Sequence, residues 1–161
     1  MTSLPATLLR PAKVSEVRAP GILLQVGKYG APFLVAGDKG DLQAIFLDGS
    51  YKFRSFKLAE AENWSGLAVE DIEFDLDLES GLNVSGYGRS PGSMLRSGSL
   101  LSIAAIADDA FGRTIDIPIL TNLPGGSDNE RTAFYSWRAF VRVGDHQRIV
   151  WESKIPFERD W

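Results

Sequence analysis

The sequence predicts an all-β protein, a single-domain antiparallel β-sandwich or β-barrel of about ten strands. From Gly21 onward, short apolar runs alternate with turn residues at intervals of about ten residues, which is typical of such folds. No segment is long and periodic enough for a major helix, since the best candidate, residues 58–62, covers only about one helical turn. The third observation is a strict alternation of apolar and acidic side chains in one stretch.

That stretch comprises residues 69–79. Its apolar members are Ile72, Phe74, Leu76 and Leu78, and its acidic members are Asp71, Glu73, Asp75, Asp77 and Glu79. Because successive side chains of a strand point to opposite faces, an extended chain here has one apolar face and one anionic face. We therefore predict one continuous strand, with its apolar side chains in the core and its carboxylates displayed to a cationic surface.

The chain begins with an arm and continues as one domain in our prediction. Residues 1–20 contain Pro5, Pro11 and Pro20 and show no sustained period, so they are predicted to form an arm that precedes a domain at residues 21–161. Strands are predicted at residues 22–26, 33–36, 42–47, 51–56, 69–79, 82–87, 100–107, 113–120, 132–143 and 148–155.

Turn residues predict how these strands connect. The dipeptide Asp48-Gly49 favours a tight hairpin between residues 42–47 and 51–56, because both residue types tolerate the positive φ of such turns. The last two predicted strands form a closing hairpin over residues 132–155.

Two features of the sequence predict where long loops and the edge of a sheet lie. Residues 88–98 and 121–131 are rich in glycine, serine and proline, so we predict two long loops there. Pro118 lacks an N–H, which places the strand at residues 113–120 at the edge of a sheet.

Length and composition exclude several classes of protein. A chain of 161 residues corresponds to about one domain and can bury a sizeable core without covalent links. It contains no cysteine, which excludes disulfides, thiolate metal sites and cysteine nucleophiles. The first ten residues lack the basic region and apolar run of a secretory signal, and no stretch has the length of a membrane span. We therefore expect a soluble, cytoplasmic protein with no membrane partner.

Charge is unevenly distributed along the chain. Residues 1–57 carry 8 basic and 4 acidic side chains, residues 58–88 carry none and 8, and residues 89–161 carry 9 of each, for a net charge of −4. Nucleic acid is an unsuitable partner, because duplex binding needs clustered lysine and arginine. The acidic block must instead meet cations, whether a partner's, metal ions or the chain's own Lys52, Arg54 and Lys57.

No pattern predicts a catalytic or metal site. Carboxylates two residues apart on a strand lie about 7 Å from one another, so the acidic strand does not converge on a calcium ion unaided. Carboxylate pairs suited to glycoside hydrolysis occur by chance in any acidic chain. His146, the one histidine, lies in a predicted turn, and no serine occupies a nucleophile motif. We predict no catalytic residue, no metal ligand and no cofactor.

The candidate binding residues are arginines, aromatics and carboxylates. Arg89 and Arg96 lie in a predicted loop that could hold an anion or dock on an acidic surface. In the closing hairpin, one face is predicted to be core, while Phe134, Arg138, Phe140 and Arg142 share the other, which either forms a contact surface or is covered by a second sheet or by the N-terminal arm. Arginine with aromatic side chains is the composition of contact surfaces. Asp75 and Asp77 of the acidic strand complete the predicted set.

Two hypotheses of function follow. The first is a non-catalytic structural or interaction protein, a subunit of a larger homo- or hetero-oligomeric assembly in which a basic surface meets an acidic one. Its partner is a protein or a second copy of the chain. The alternative is a small-molecule or carbohydrate-binding β-barrel, with room for enzymatic activity, whose site is framed by the loops at residues 88–98 and 121–131.

Overall fold

The computed structural model describes residues 4–25, 30–84, 89–125 and 131–155, and it confirms the all-β fold class. The described residues form fourteen strands and four short 3₁₀ helices. The strands are β1 (Arg10–Lys13), β2 (Gly21–Leu24), β3 (Phe33–Asp38), β4 (Asp41–Phe46), β5 (Ser55–Lys57), β6 (Ser65–Val69), β7 (Glu73–Leu76), β8 (Gly81–Asn83), β9 (Met94–Ser97), β10 (Leu100–Ile106), β11 (Thr114–Leu120), β12 (Arg131–Phe134), β13 (Ser136–Val143) and β14 (His146–Lys154). The 3₁₀ helices are Ala6–Leu8, Val14–Glu16, Leu58–Glu60 and Leu78–Ser80. None of the described helices is long and apolar enough to cross a membrane.

The strands build three antiparallel sheets. The six-stranded sheet has the order β1-β6-β2-β3-β4-β5, the five-stranded sheet the order β11-β10-β9-β12-β8, and the three-stranded sheet the order β14-β13-β7. The six-stranded sheet comes entirely from residues 10–69, and the other two sheets come from residues 73–154. All described strand pairs are antiparallel, as the turn-rich sequence predicts.

One apolar core lies between the three sheets. Each sheet contributes alternate side chains from one face, the arrangement expected of a half-buried antiparallel sheet. Fully buried members are Ile22, Leu34, Ile45 and Leu47 from the six-stranded sheet and its connections, and Met94 and Ile103 from the five-stranded sheet. Trp137, Ala139 and Val141 of β13 join them from the three-stranded sheet.

The N-terminal segment is held by the domain itself. Within the predicted arm, β1 pairs with β6 at one edge of the six-stranded sheet. Val14 and Val17 then turn inward and cover Leu23, Phe33 and neighbouring side chains on the outer face of that sheet. A second, smaller core therefore lies on the face that points away from the main one.

An ion-pair network fastens this segment. The Glu70 carboxylate accepts hydrogen bonds from Arg10 Nε and Nη2, at 3.1 and 2.8 Å, and from the Arg18 backbone N–H at 2.8 Å. Burial raises the pKa of Glu70, but these hydrogen bonds and the two positive charges outweigh burial, so its pKa lies below the ordinary value. Arg18 also pairs with Asp71, which is 84% exposed, so this second pair adds little.

The predicted continuous strand at residues 69–79 is wrong in its extent. Val69 ends β6, Asp71 adopts a positive φ of 57°, and only Glu73–Leu76 forms a strand. Leu78, predicted to be in the core, lies in a 3₁₀ helix and is 80% exposed. The alternation holds over the four residues of β7 because these pair with β13, and it fails where that pairing stops.

The predicted tight hairpin at Asp48-Gly49 is also wrong. The connection runs on to Arg54, and β5 begins only at Ser55. Phe53 takes a positive φ of 65° and is buried, with its N–H donating to the Phe46 carbonyl at 2.7 Å. Burial of this ring outweighs the local preference for a two-residue turn.

Two other boundaries differ from the predictions. The predicted loop at residues 88–98 contains β9, the central strand of the five-stranded sheet, whose Met94 and Leu95 are buried. The predicted strand at residues 132–143 is two strands, because the chain bends at Tyr135 and passes from the five-stranded to the three-stranded sheet. This bend joins the main structure to the sheet that carries the candidate site.

Candidate functional site

The outer face of the three-stranded sheet carries charged side chains in register, and we define it as the charged face. Arg138 on β13 lies directly between Asp75 on β7 and Glu152 on β14. In the next row Ser136 lies opposite Lys154, and the Asp77 N–H donates to the Ser136 carbonyl at 3.0 Å. Charges of opposite sign thus alternate across the sheet.

The acidic and basic candidate residues meet within one chain. Arg138 Nη2 lies 3.0 Å from Asp75 Oδ2, and Arg142 Nε lies 2.6 Å from Glu73 Oε2. The four side chains are between 42% and 61% exposed, so each pair contributes only about 0 to 1 kcal/mol. The predicted cationic neighbours Lys52 and Arg54 do not form these pairs, because β7 pairs with β13 and not with β5.

The predicted exposure of the two candidate phenylalanines is wrong. Phe140 is 2% exposed, and the Arg142 guanidinium carbon lies 5.5 Å from its ring centroid. Phe134 is 8% exposed and packs in the main core. Neither ring is available to a partner, so these candidate residues contribute guanidinium groups and carboxylates to the charged face and no exposed ring.

Glu152 and Lys154 lie at the edge of this face, and their charges are not paired with any described side chain. Both side chains are exposed, and neither forms an ion pair with any described residue. Together with Asp75, Asp77 and Arg138 they line an open groove of about 380 Å³ that runs across the three strands. Three carboxylates against two cations make this groove weakly anionic.

Arg89 and Arg96 do not form the predicted anion clamp. Arg89 Nε pairs with Asp116 Oδ1 on β11, at 2.5 Å. Arg96 lies in β9, with Nε donating to the Gly98 carbonyl at 2.7 Å and Nη2 to the Pro124 carbonyl at 2.6 Å. The two arginines therefore bind separate acceptors, Asp116 for Arg89 and two backbone carbonyls for Arg96. Their hydrogen bonds stabilise the five-stranded sheet and its loops.

In the part of the chain that the structure describes, the acidic side chains and His146 form no metal-binding cluster, because no three of them lie close enough to hold a metal ion. Besides Glu70, Asp109 has a displaced pKa: hydrogen bonds from Arg113 and from the Phe111 and Gly112 N–H groups place it below the ordinary value. Glu70 binds Arg10 and the Arg18 backbone of the N-terminal segment, and Asp109 binds Arg113 and the backbone of the turn between β10 and β11.

Sequence reasoning missed an aromatic cluster on the outer face of the six-stranded sheet. Phe46 is its centre, with ring centroids of Tyr51, Phe56 and Trp64 between 5.4 and 5.7 Å away. Tyr51 is 53% exposed and borders a cavity of about 480 Å³ that Gln25, Asp48 and Ser50 also line. The aromatic composition of residues 46–64 is visible in the sequence, but the unpredicted turn through Phe53 is what brings the rings together.

Comparison with known proteins places the chain in a family. Residues 11–159 match the family described as "Uncharacterised protein y4lG". The chain belongs to this family. A curated relative, "Uncharacterized protein y4lG" of Sinorhizobium fredii (strain NBRC 101917 / NGR234), is 26% identical over 132 residues, which cover 81% of each chain. No solved structure matches the chain. The y4lG match spans all three sheets, including both strands that carry Asp75 and Arg138.

Proposed function

We propose that this y4lG-family protein is a non-catalytic interaction protein and serves as a subunit of a larger homo- or hetero-oligomeric assembly. One observation carries the proposal: the charged face lies open, and its edge strand β14 displays the unpaired charges of Glu152 and Lys154. Ordered charges of both signs at a surface favour association with a complementary surface more than they stabilise the fold.

The edge strand itself supports this function. β14 spans nine residues and is the longest described strand, yet only β13 lies beside it among the described strands. A long strand with an unpaired edge readily accepts another strand, and many proteins shorten or cover such edges to avoid that. Here the open edge and the charged face adjoin, so one partner can contact both.

Salt should weaken the association, and a charge reversal on this face should reduce it. We expect sedimentation velocity to show oligomers at about 50 mM salt that dissociate at about 500 mM, because exposed charges are screened over that range. The double variant Asp75→Lys/Asp77→Lys should remain folded by circular dichroism and form smaller species than the unmodified protein at about 50 mM salt.

The matched control is Asp38→Lys/Asp41→Lys, which makes the same change in net charge on exposed residues of the six-stranded sheet. It should associate like the unmodified protein. A chain that is monomeric at low salt would contradict self-assembly. Unfolding of the Asp75/Asp77 variant would show that these carboxylates are needed within the fold, and the contact-surface proposal would lose its support.

A second candidate function, carbohydrate or small-molecule binding, is favoured by the aromatic cluster. The exposed Tyr51 ring beside Phe46 offers an apolar platform, and Gln25, Asp48 and Ser50 around the adjoining cavity offer polar groups. This places the alternative site away from the loops first predicted to frame it. Titration calorimetry with mono- and disaccharides tests it: binding that Tyr51→Ala removes and Phe111→Ala leaves intact supports this function, and no heat with any sugar opposes it.

A further inference from the structure

The hydrogen bonds around β13 establish which backbone groups of β14 are unpaired. The Ile155 N–H donates to the Tyr135 carbonyl at 2.9 Å, which directs the backbone of Ile155 toward β13. On the other side, the Asp77 N–H donates to the Ser136 carbonyl, so Ser136 faces β7. Because backbone groups alternate in direction along a strand, Ser153 faces β13, and Glu152 and Lys154 present their N–H and C=O groups to the open edge.

A second copy of the chain fits this edge in one register. When a twofold axis relates two identical antiparallel strands, each residue faces a residue of the other copy, and the two residue numbers add up to the same value in every pair. With the axis at Ser153, Glu152 lies opposite Lys154 of the second copy, and Lys154 opposite its Glu152. In both pairs the backbone N–H and C=O groups point at the second copy, so each is a hydrogen-bonded pair. Each pair also brings opposite charges together on the same face of the sheet.

Neighbouring registers are unfavourable. An axis at Glu152 or at Lys154 places like charges directly opposite each other, which is destabilising. An axis at Val150 would pair Arg148 with Glu152, but the bulge in β14 between Ile149 and Trp151 puts these side chains on opposite faces: Arg148 lies opposite Val141, and Glu152 opposite Arg138.

The Ser153 hydroxyl provides an independent observation. Ser153 is 4% exposed, and its Oγ has no hydrogen-bond partner among the described residues. A buried hydroxyl without a partner is costly. With the axis at Ser153, this residue and its counterpart form a non-hydrogen-bonded backbone pair, in which side chains approach most closely and two hydroxyls can bond across the strands.

We propose that β14 pairs with β14 of a second copy about a twofold axis at Ser153, which joins two three-stranded sheets into one of six strands. This inference rests on the proposed function and identifies its partner as the chain itself. The paired segment is short, residues 151–155, because Pro156 follows in the sequence and carries no N–H. Its charge pairs are exposed, so the dimer should be reversible and sensitive to salt.

Complementary charge reversals test the register. Glu152→Lys alone places two lysine pairs across the axis, and Lys154→Glu alone places two glutamate pairs, so each should raise the dimer dissociation constant about tenfold or more. An equimolar mixture of the two variants, one carrying an affinity tag, should form heterodimers. The variant with both reversals in one chain should dimerise like the unmodified protein.

A cysteine cross-link tests the position of the axis. The chain has no cysteine, so Ser153→Cys introduces one thiol per copy. The Cα atoms of this pair would be about 4.5 Å apart, within the range of a disulfide, and oxidised glutathione should yield covalent dimers as it is reduced. Arg148→Cys is the control, because its two copies would lie roughly 30 Å apart in this register and should not cross-link.

The outcomes separate this inference from the proposed function. The twofold pairing would be overturned if the charge variants formed the same salt-sensitive oligomers as the unmodified protein and if Ser153→Cys chains stayed monomeric on oxidation. The proposed assembly function would then still stand. A chain that is monomeric at low salt would overturn the twofold pairing and the homo-oligomeric form of the assembly. Heterodimers from the mixed variants together with the Ser153→Cys cross-link would establish the pairing.

Discussion

Gly92→Ala is expected to destabilise the protein by about 3 to 5 kcal/mol. Gly92 has a φ of +90°, which L residues rarely adopt, and an added Cβ would lie between 2.3 and 2.6 Å from three ring atoms of Phe53. The ring cannot easily move, because Phe53 is buried in a left-handed backbone conformation of its own.

Gly92 also has two backbone contacts that a shift would break. Its N–H donates to the Ala104 carbonyl at 2.6 Å, and its carbonyl accepts the Trp137 indole N–H at 2.8 Å. Gly125→Ala is the matched control, since Gly125 has a φ of +78° and nothing within 4 Å of an added Cβ. It should cost only about 1 kcal/mol. Urea denaturation followed by circular dichroism measures both, and equal losses would contradict the steric explanation.

Trp137→Ala is expected to cost about 3 to 5 kcal/mol. Trp137 is 3% exposed, packs in the main core and contacts Phe74 of β7, with ring centroids 6.1 Å apart. Its indole N–H donates to the carbonyl of Gly92, which precedes β9 of the five-stranded sheet. This side chain therefore links the three-stranded sheet to the five-stranded sheet. Its removal should loosen the charged face as well as lower stability.

Trp137→Phe separates the hydrogen bond from the packing. It retains most of the apolar contact but leaves the Gly92 carbonyl without its donor, at a cost of about 1 to 3 kcal/mol. Phe111→Ala, at a ring that is 87% exposed, should change stability by no more than about 0.5 kcal/mol. Urea denaturation again supplies the comparison. If Trp137→Phe were as damaging as Trp137→Ala, the contact that phenylalanine retains would contribute little, and the loss would come from the indole hydrogen bond and the second ring together.

The fold class could be predicted because it depends on local periodicity. β3, β4, β10 and β11 lie within one or two residues of their predicted bounds, since each is an apolar run between turn residues. β9 was missed because Met94 and Leu95 stand among glycines and serines that favour a loop locally. Its strand conformation comes from pairing on both sides, with β10 and β12, which a single segment does not reveal.

The candidate site could be predicted only in part. Asp75 and Arg138 were both chosen, but their pairing joins segments about sixty residues apart in the sequence, and no local pattern records it. A signal was nevertheless present: charges in the acidic stretch and charges in the closing hairpin both recur at even spacings, as two facing strands require. The exposure of Phe140 was predicted wrongly because periodicity gives the direction of a side chain and not what covers it.

The position of the six-stranded sheet, at the beginning of the chain, bears on synthesis in the cell. Every strand of the six-stranded sheet has been translated once Val69 is made, so this sheet can assemble while the rest of the nascent chain is still being produced. Its second core would already be closed by the N-terminal segment, whereas Ile22, Leu34 and Ile45 would wait on the opposite face for strands yet to come. Side chains of β9, β10 and β13, among them Met94, Ile103 and Val141, cover that face once those strands have been translated.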